Sequence, residues 1–264
     1  QIFRFDMDSG STTQLTPSGV RHGGWTWSTT GDRIAYSSNK RNGRDFDIWT
    51  SDGKDPASAS LLCEGSGYWG AGPWSPDGKS MIAYEYVSAA DSRMHLIDLE
   101  TGKSQRIIGG TRKDTAYHGA LVFGADADTL YATSNRGGEF VQLYRVKRER
   151  RKWRWSLLSD AIPWDIEELA ITKDADTLAF TVNEGGYNSL YLMNLSDDSY
   201  RKVDAVPRGL VYGLRFARQA DVLGFTAAGP TRTGDAWTLD IGNDEVTRWT
   251  SSEIGGLDSS GFIE

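Results

Sequence analysis

The residues best suited to nucleophilic or metal chemistry are few in this sequence. Its histidines, His22, His95 and His118, fall in no His-Glu-X-X-His or similar metal motif. A serine nucleophile of the α/β-hydrolase type needs a Gly-X-Ser-X-Gly elbow, and Ser66 lies one residue out of step with that pattern. Cys63 has no histidine near it in the sequence, so we expect a buried, inert side chain. We therefore predict no catalytic residue in this chain.

Paired aspartates come closest to a metal-binding loop. Asp126 and Asp128 resemble a fragment of a calcium loop, but Asp174 and Asp176 recur 48 residues later. This recurrence is typical of a worn Pro-Asp-Gly turn rather than of a single metal site. The sequence also has no glycine loop of the kind that cradles phosphate. We expect no bound metal and no cofactor.

A second set of polar and aromatic residues recurs shortly before five similar apolar segments. Gathered at one mouth of a channel, these side chains would contact a peptide, and Glu167 and Glu168 would hold a positive group such as a peptide amino terminus. The candidate substrate-binding residues are Arg21, His22, Tyr68, Trp69, Tyr117, His118, Asp165, Glu167 and Glu168. The alternative is that they only pack against, or hydrogen-bond, the ends of strands.

The five apolar segments belong to a repeat of about 47 residues. The clearest copy reads Trp-Ser-Pro-Asp-Gly at 74–78, an earlier one begins at Trp27, and degraded copies begin at Phe123, Ile171 and Phe216. Proline presets φ at the first central position of a turn and glycine accepts positive φ, so the clearest copy predicts a turn between two strands. Internal periods of this length are typical of propellers or solenoids.

A second hairpin follows about 20 residues later in each repeat. A polar residue marks its turn at Asp6, Asp52, Asp98, Lys147, Asn194 and Asp240, at intervals of 46 to 49 residues. Two hairpins per repeat make a four-stranded blade, and no stretch shows a sustained helical period. Blades arranged around a channel solve the problem of exposed sheet edges. We predict an all-β β-propeller of four-stranded antiparallel blades, with five full blades and one half blade here and six or seven in the complete protein.

The sequence contains unequal numbers of outer and inner hairpins. There are six outer hairpins and only five inner ones, because the inner hairpin expected before Ile2 is missing. We therefore expect this chain to be part of a longer polypeptide. Residues 1–250 are predicted to form the propeller, with the half blade at 1–16 followed by five repeats.

Composition restricts the partners. The formal net charge of −7 argues against a general nucleic-acid binder, and the basic run at 145–154 is expected to be a solvated hairpin edge or a docking surface. No apolar run is long enough to span a membrane, so we expect neither nucleic acid nor membrane as a partner. The single cysteine allows no intramolecular disulfide. We expect a cytoplasmic protein, and a periplasmic one stays open because the sequence begins without Met.

Four features of the sequence belong together: the Trp-Ser-Pro-Asp-Gly copies, the segment 162–168, the Asn-Glu-Gly-Gly at 183–186 and the closing segment 246–257. Together they resemble the N-terminal propeller of prolyl-oligopeptidase-family serine peptidases. The resemblance covers essentially the whole chain. The closing segment is the more specific part, because in the family it stands just before the connection to the hydrolase domain. The repeat alone also occurs in other propellers, including that of the periplasmic Tol system.

The resemblance implies a gating domain. In that family the propeller caps the active site and admits short peptides or unfolded segments, while the Ser, Asp and His of the triad lie in the hydrolase domain. Residues 251–264 would then be a linker toward an α/β-hydrolase domain, in the same polypeptide or as a separate chain. The alternatives are a stand-alone Tol-type propeller that scaffolds protein–protein contacts, and a propeller glycosidase, which needs paired carboxylates.

Overall fold

Antiparallel strands form nearly all the regular structure in the computed structural model, which describes residues 1–110, 115–150, 152–257 and 261–262. The chain divides into two units. The first comprises Gln1–Leu130 with Arg148–Trp153, and the second comprises Tyr131–Lys147 with Arg154–Glu264. The basic run at 145–154 includes Arg151, which lies outside the described residues.

The first unit contains a two-stranded sheet and two four-stranded sheets. Its strands are β1 (Phe3–Phe5), β2 (Thr12–Gln14), β3 (His22–Trp27), β4 (Ile34–Ser38), β5 (Asp47–Ser51), β6 (Ser60–Cys63), β7 (Tyr68–Trp74), β8 (Ser80–Ser88), β9 (Asp91–Asp98) and β10 (Ser104–Ile108). The sheets run β1-β2, β3-β4-β5-β6 and β7-β8-β9-β10, so each is a simple meander. A short 3-10 helix at Pro56–Ser58, absent from the sequence prediction, lies between β5 and β6.

The next sheet has residues in both units, and two further sheets belong to the second unit. The strands are β11 (His118–Phe123), β12 (Thr129–Ser134), β13 (Gln142–Glu149), β14 (Lys152–Leu157), β15 (Asp165–Ile171), β16 (Thr177–Asn183), β17 (Asn188–Asn194), β18 (Tyr200–Lys202), β19 (Leu210–Phe216), β20 (Val222–Gly229), β21 (Arg232–Asp240) and β22 (Val246–Arg248). They also pair in sequence order, four to a sheet.

The Trp-Ser-Pro-Asp-Gly segment forms the predicted turn. Gly78 donates its N–H to the carbonyl oxygen of Ser75 at 2.9 Å and adopts φ of +67°. The Ser75 hydroxyl donates to the Asp77 carboxylate at 2.6 Å, which fixes the side chains around the turn. In the degraded copy after β15, Ala175 occupies the equivalent left-handed conformation, which strains a residue with a β-carbon.

Five of the six polar markers of the outer hairpins act as turn formers, and the sixth, Lys147, has no side-chain acceptor. An aspartate or asparagine side chain accepts hydrogen bonds from backbone N–H groups two or three residues further on, which is the Asx-turn geometry. This holds for Asp6, Asp52, Asp98, Asn194 and Asp240. Side-chain chemistry of single residues therefore sets these five outer turns.

Apolar residues of the middle strands fill the space between neighbouring blades. In the first unit Met81, Ala83 and Ile97 pack with Ala35 and Ile48 of the preceding blade. Full burial of an aliphatic side chain of this size contributes about 1.5–3 kcal/mol. The first strands of consecutive blades also lie together, β3 against β7 and β7 against β11 in the first unit, and β15 against β19 in the second.

The described residues thus form five four-stranded antiparallel blades and a two-stranded half blade. The predicted fold class, an all-β propeller, is confirmed.

Candidate functional site

The segments predicted to carry the site form the first strand of each blade. In four blades the pairing of first and second strands contains a bulge, between Gly23 and Trp25, Ala71 and Trp74, Ile166 and Leu169, and Tyr212 and Arg215. A bulge bends a strand and redirects its side chains. In β19 the bulge contains Gly213, which takes φ of +72°.

Close approach explains another of these glycines. A β-carbon on Gly72 would lie 2.8 Å from the carbonyl oxygen of Ile82 and equally close to the ring of Tyr84. The crowding at Gly72 therefore comes from the paired strand β8.

Three candidate residues of the first unit are exposed: Arg21, Tyr68 and Tyr117. Tyr68 is 43% exposed and Tyr117 is 39% exposed. The Tyr68 ring packs on Phe46 with centroids 4.9 Å apart, so its orientation is fixed. These side chains present aromatic and cationic surface to solvent, which suits contact with a peptide.

His22 is half-buried at the start of β3. Its Nε2 lies 3.1 Å from the carbonyl oxygen of Pro17, and its ring meets that of Tyr36 edge-on with centroids 5.8 Å apart. Burial lowers the pKa of His22, against an opposing effect of the Pro17 hydrogen bond. The ring therefore favours the neutral form.

Trp69 and His118 are buried, at 7% and 2% exposure. Trp69 lies over His95 with ring centroids 4.3 Å apart. The backbone N–H of His118 donates to the Ser92 hydroxyl at 2.7 Å, and that hydroxyl donates to the His118 carbonyl oxygen at 2.8 Å. Both side chains lie in the interior.

A charged cluster lies next to Trp69. The Glu85 carboxylate contacts His95 Nε2 at 2.8 Å and accepts a hydrogen bond from Arg93 at 3.0 Å, and Arg93 is 3.6 Å from Asp91. Burial lowers the pKa of His95, and the neighbouring Glu85 opposes this. The candidate residues came from the segments that form the first strands of the blades. His95 was not among them, because it and its charged partners lie on β8 and β9.

The carboxylates of the predicted site are already engaged in hydrogen bonds. Asp165 accepts from the Val141 N–H at 2.7 Å. Glu167 accepts from the side-chain amides of Asn183 at 2.9 Å and Asn188 at 2.7 Å. Asp165 and Glu167 are nevertheless exposed, so both retain surface that a cation can reach.

Glu168 reaches the neighbouring blade. Its Oε2 accepts from the N–H groups of Gly213 at 2.7 Å and Leu214 at 3.1 Å, the two amides of the bulge in β19. A bulge leaves backbone donors without a ladder partner, and here a carboxylate satisfies them. Glu168 therefore ties β15 to β19 within the second unit.

Exposed aromatic residues outside the predicted set also lie on or next to first strands. Trp25 is 58% exposed on β3, Tyr212 is 45% exposed on β19, and Trp164 is 41% exposed just before β15. The sequence signal that could have identified them is their position within or next to the segments that form the first strands. The bulges decide which of these residues face solvent, and the sequence alone did not place the bulges.

The segment that leaves the last blade is held by one side chain. Asp235, whose side chain is fully buried, accepts from Arg248 at 2.5 Å, from the Thr250 hydroxyl at 2.9 Å and from the Ser252 N–H at 2.7 Å. Burial raises the pKa of Asp235, but these hydrogen bonds outweigh it and lower the pKa to about 2. The predicted linker at 251–264 begins at this contact, and its residues 258–260 and 263–264 lie outside the described residues.

The remaining chemical candidates behave as parts of the fold. Cys63 is buried, as expected, and burial raises the pKa of its thiol. Asp126 and Asp174 each accept a backbone N–H two residues on, as turn residues do. Among the described residues, no three His, Cys, Asp or Glu side chains lie together as metal ligands would. No helix in the described part of the chain has the length and hydropathy needed to span a bilayer.

Neither a protein-family model nor a curated protein matches the sequence. Solved structures do match the fold. A puromycin-hydrolyzing peptidase of Mycobacterium tuberculosis matches with a TM-score of 0.74 and 16% identity, over 96% of this chain and 41% of that chain. TolB of Acinetobacter baumannii matches with a TM-score of 0.66 and 17% identity, over 85% of this chain and 54% of that one. A putative TolB of Agrobacterium tumefaciens matches with a TM-score of 0.67 and 12% identity, over 94% and 89% of the two chains.

Prolyl endopeptidases and an oligopeptidase B of Trypanosoma brucei match in the same way. The resemblance to peptidase propellers predicted from the sequence is thus confirmed at the level of fold. The chain spans about half or less of the A. baumannii TolB and peptidase chains that it matches.

Proposed function

We propose that this chain is the non-catalytic propeller of a prolyl-oligopeptidase-like serine peptidase, and that it controls which peptides reach the active site. The hydrolase domain would lie in the same polypeptide or in a separate chain. The observation that carries this proposal is the match in fold to peptidases whose chains extend far beyond the matched part. We propose a cytoplasmic location, with the periplasm as the alternative.

The physical role would be selection by size and surface. A rigid blade scaffold in front of a hydrolase excludes folded proteins and limits access of water to the reaction. In the first unit, the exposed side chains of Arg21, Tyr68 and Tyr117 would contact the incoming peptide. In the second unit, Asp165 and Glu167 would attract its amino terminus. Catalysis itself would use none of these residues.

The test uses the native polypeptide, with Tyr68→Ala and Tyr117→Ala introduced singly and together. We expect kcat/KM for peptide substrates to change by roughly five- to tenfold in the double variant, since truncating an aromatic contact residue often costs more than 1 kcal/mol of binding. Leu61→Ala is a matched control, because Leu61 is 37% exposed but lies on the fourth strand β6. An unchanged substrate profile in the double variant, or an equal change in the control, contradicts the proposal.

A scaffold for protein–protein contacts is the second candidate. It is favoured by the putative TolB of A. tumefaciens, whose chain is almost fully covered by the match. Affinity purification of the native protein distinguishes the two. A stable complex with another protein and no hydrolase, in cis or in trans, would favour the scaffold.

A further inference from the structure

One position of the third strand is buried in every complete blade and exposed in the half blade. Counted from the turn markers, Phe5 on β1 corresponds to one residue in each complete blade. The equivalent residues and their exposures are Ser51 at 3%, Ile97 at 0%, Val146 at 0%, Met193 at 1% and Leu239 at 0%. Phe5 is 58% exposed. The half blade therefore presents to solvent a side chain that belongs, by position, in a core.

The backbone of β1 is open on the same side. Leu15 donates its N–H to the carbonyl oxygen of Ile2, and Asp6 donates to that of Ser11, so Ile2 and Asp6 point their backbone groups toward β2. In an antiparallel ladder these directions alternate. Phe3 and Phe5, which oppose Gln14 and Thr12, therefore point their N–H and C=O groups to the other edge. In complete blades the third strand pairs on both edges, as β9 does with β8 and β10.

An apolar groove accompanies this edge. Phe3, Phe5, Trp25 and Trp27 line a groove of about 360 Å³ between the half blade and β3, with exposures of 56%, 58%, 58% and 37%. Exposed apolar groups clustered next to an unpaired strand edge are a template for strand addition. The exposed side chains and the unpaired backbone groups therefore both fit an added β-strand with apolar side chains.

We propose that the open edge of β1 receives an inner β-hairpin of the Trp-Ser-Pro-Asp-Gly type, supplied by the same polypeptide. Its second strand pairs with the N–H and C=O groups of Phe3 and Phe5, and its apolar side chains cover Trp25 and Trp27. All five complete blades provide the template, since each places such a hairpin against its third strand. A source in the same polypeptide is favoured because the join can be as short as residues 89–90 between β8 and β9, which gives a high effective concentration.

The experiment supplies the hairpin. A copy of residues 68–92, which holds β7, β8, the two-residue join and the first two residues of β9, is fused ahead of Gln1, so that Gln1 takes the position of Arg93 and Phe5 that of Ile97. Amide hydrogen exchange is then measured residue by residue. The exchange of the Phe3 and Phe5 amides should slow by at least about tenfold in the fusion. The Arg4 amide, which points toward β2, should be protected with or without the hairpin. The control fusion carries the same residues in scrambled order and should leave Phe3 and Phe5 unprotected.

Two results would overturn the proposal. If the Phe3 and Phe5 amides exchange equally fast in the ordered and scrambled fusions, the edge does not accept this hairpin. If the unfused chain already protects them, in a way that rises with protein concentration, a second copy occupies the edge instead. Phe5→Ala in the ordered fusion keeps the backbone groups and removes the apolar contact, so it should reduce the protection without abolishing folding.

Discussion

The half blade β1–β2 and the blade β7–β10 share an outer hairpin and differ in its surroundings. Asp6 and Asp98 accept the same turn hydrogen bonds, and Gly10 and Gly102 close the turns with φ of +67° and +69°. Yet Ile97 is fully buried, whereas its counterpart Phe5 is not. Local residue chemistry therefore determines the hairpin, and the inner strands determine whether it becomes part of a core.

The largest expected effect is the difference in lost stability between alanine substitutions at Ile97 and at Phe5. Ile97→Ala should lower the free energy of unfolding by about 2–5 kcal/mol, because it leaves a cavity between packed blades. Phe5→Ala should lower it by under about 1 kcal/mol, because the ring is mostly in solvent. Urea denaturation of the two variants measures the difference. Equal losses would mean that the half blade is packed as tightly as the complete one.

The two turn glycines provide a smaller effect. Both have left-handed backbones, so either change to alanine costs about 1 kcal/mol. A β-carbon on Gly102 would also meet the carbonyl oxygen of Leu62, whereas one on Gly10 meets nothing within 4 Å. Gly102→Ala should therefore cost about 1–3 kcal/mol more than Gly10→Ala in the free energy of unfolding. Thermal unfolding of both variants checks this. Equal losses in the free energy of unfolding would show that the strand containing Leu62 shifts to make room for the added β-carbon.

The smallest expected effect is on the pH dependence of folding stability. It concerns the position in the complete blade that corresponds to Phe3. His95 fills it in the complete blade, and burial lowers its pKa in the folded state. As pH falls below about 6.5, the unfolded chain binds the proton first, so folded stability decreases until the folded-state pKa is passed. His95→Gln should remove this part of the decrease. His22 also has a lowered pKa, so the difference between the protein and the variant isolates His95. Parallel stability curves would contradict the assignment.

The sequence predicted those features that depend on neighbouring residues. The turn at Ser75 to Gly78 and the Asx turns at Asp6 and Asp98 follow from residue type and spacing, and together they define the blade repeat. The 3-10 helix at Pro56–Ser58 was not predicted, because it interrupts the hairpin of one repeat only.

The candidate site was less predictable because it depends on strand register. The sequence suggested Glu168 as free to bind a positive group, but the bulge in β19 directs two backbone amides onto its carboxylate. The alignment also gave Trp69 and Tyr68 equal standing, although alternation along β7 buries the first and exposes the second. Which candidates bind a peptide stays a prediction.

A covalent serine-hydrolase probe, such as a fluorophosphonate, tests the central claim most directly when applied to the native protein. The account predicts a label on the polypeptide that contains these residues, or on a chain that purifies with it, with the modified serine outside residues 1–264. Absence of label on both, under conditions that label a known serine peptidase, would contradict the gating function and leave a propeller that works without a hydrolase.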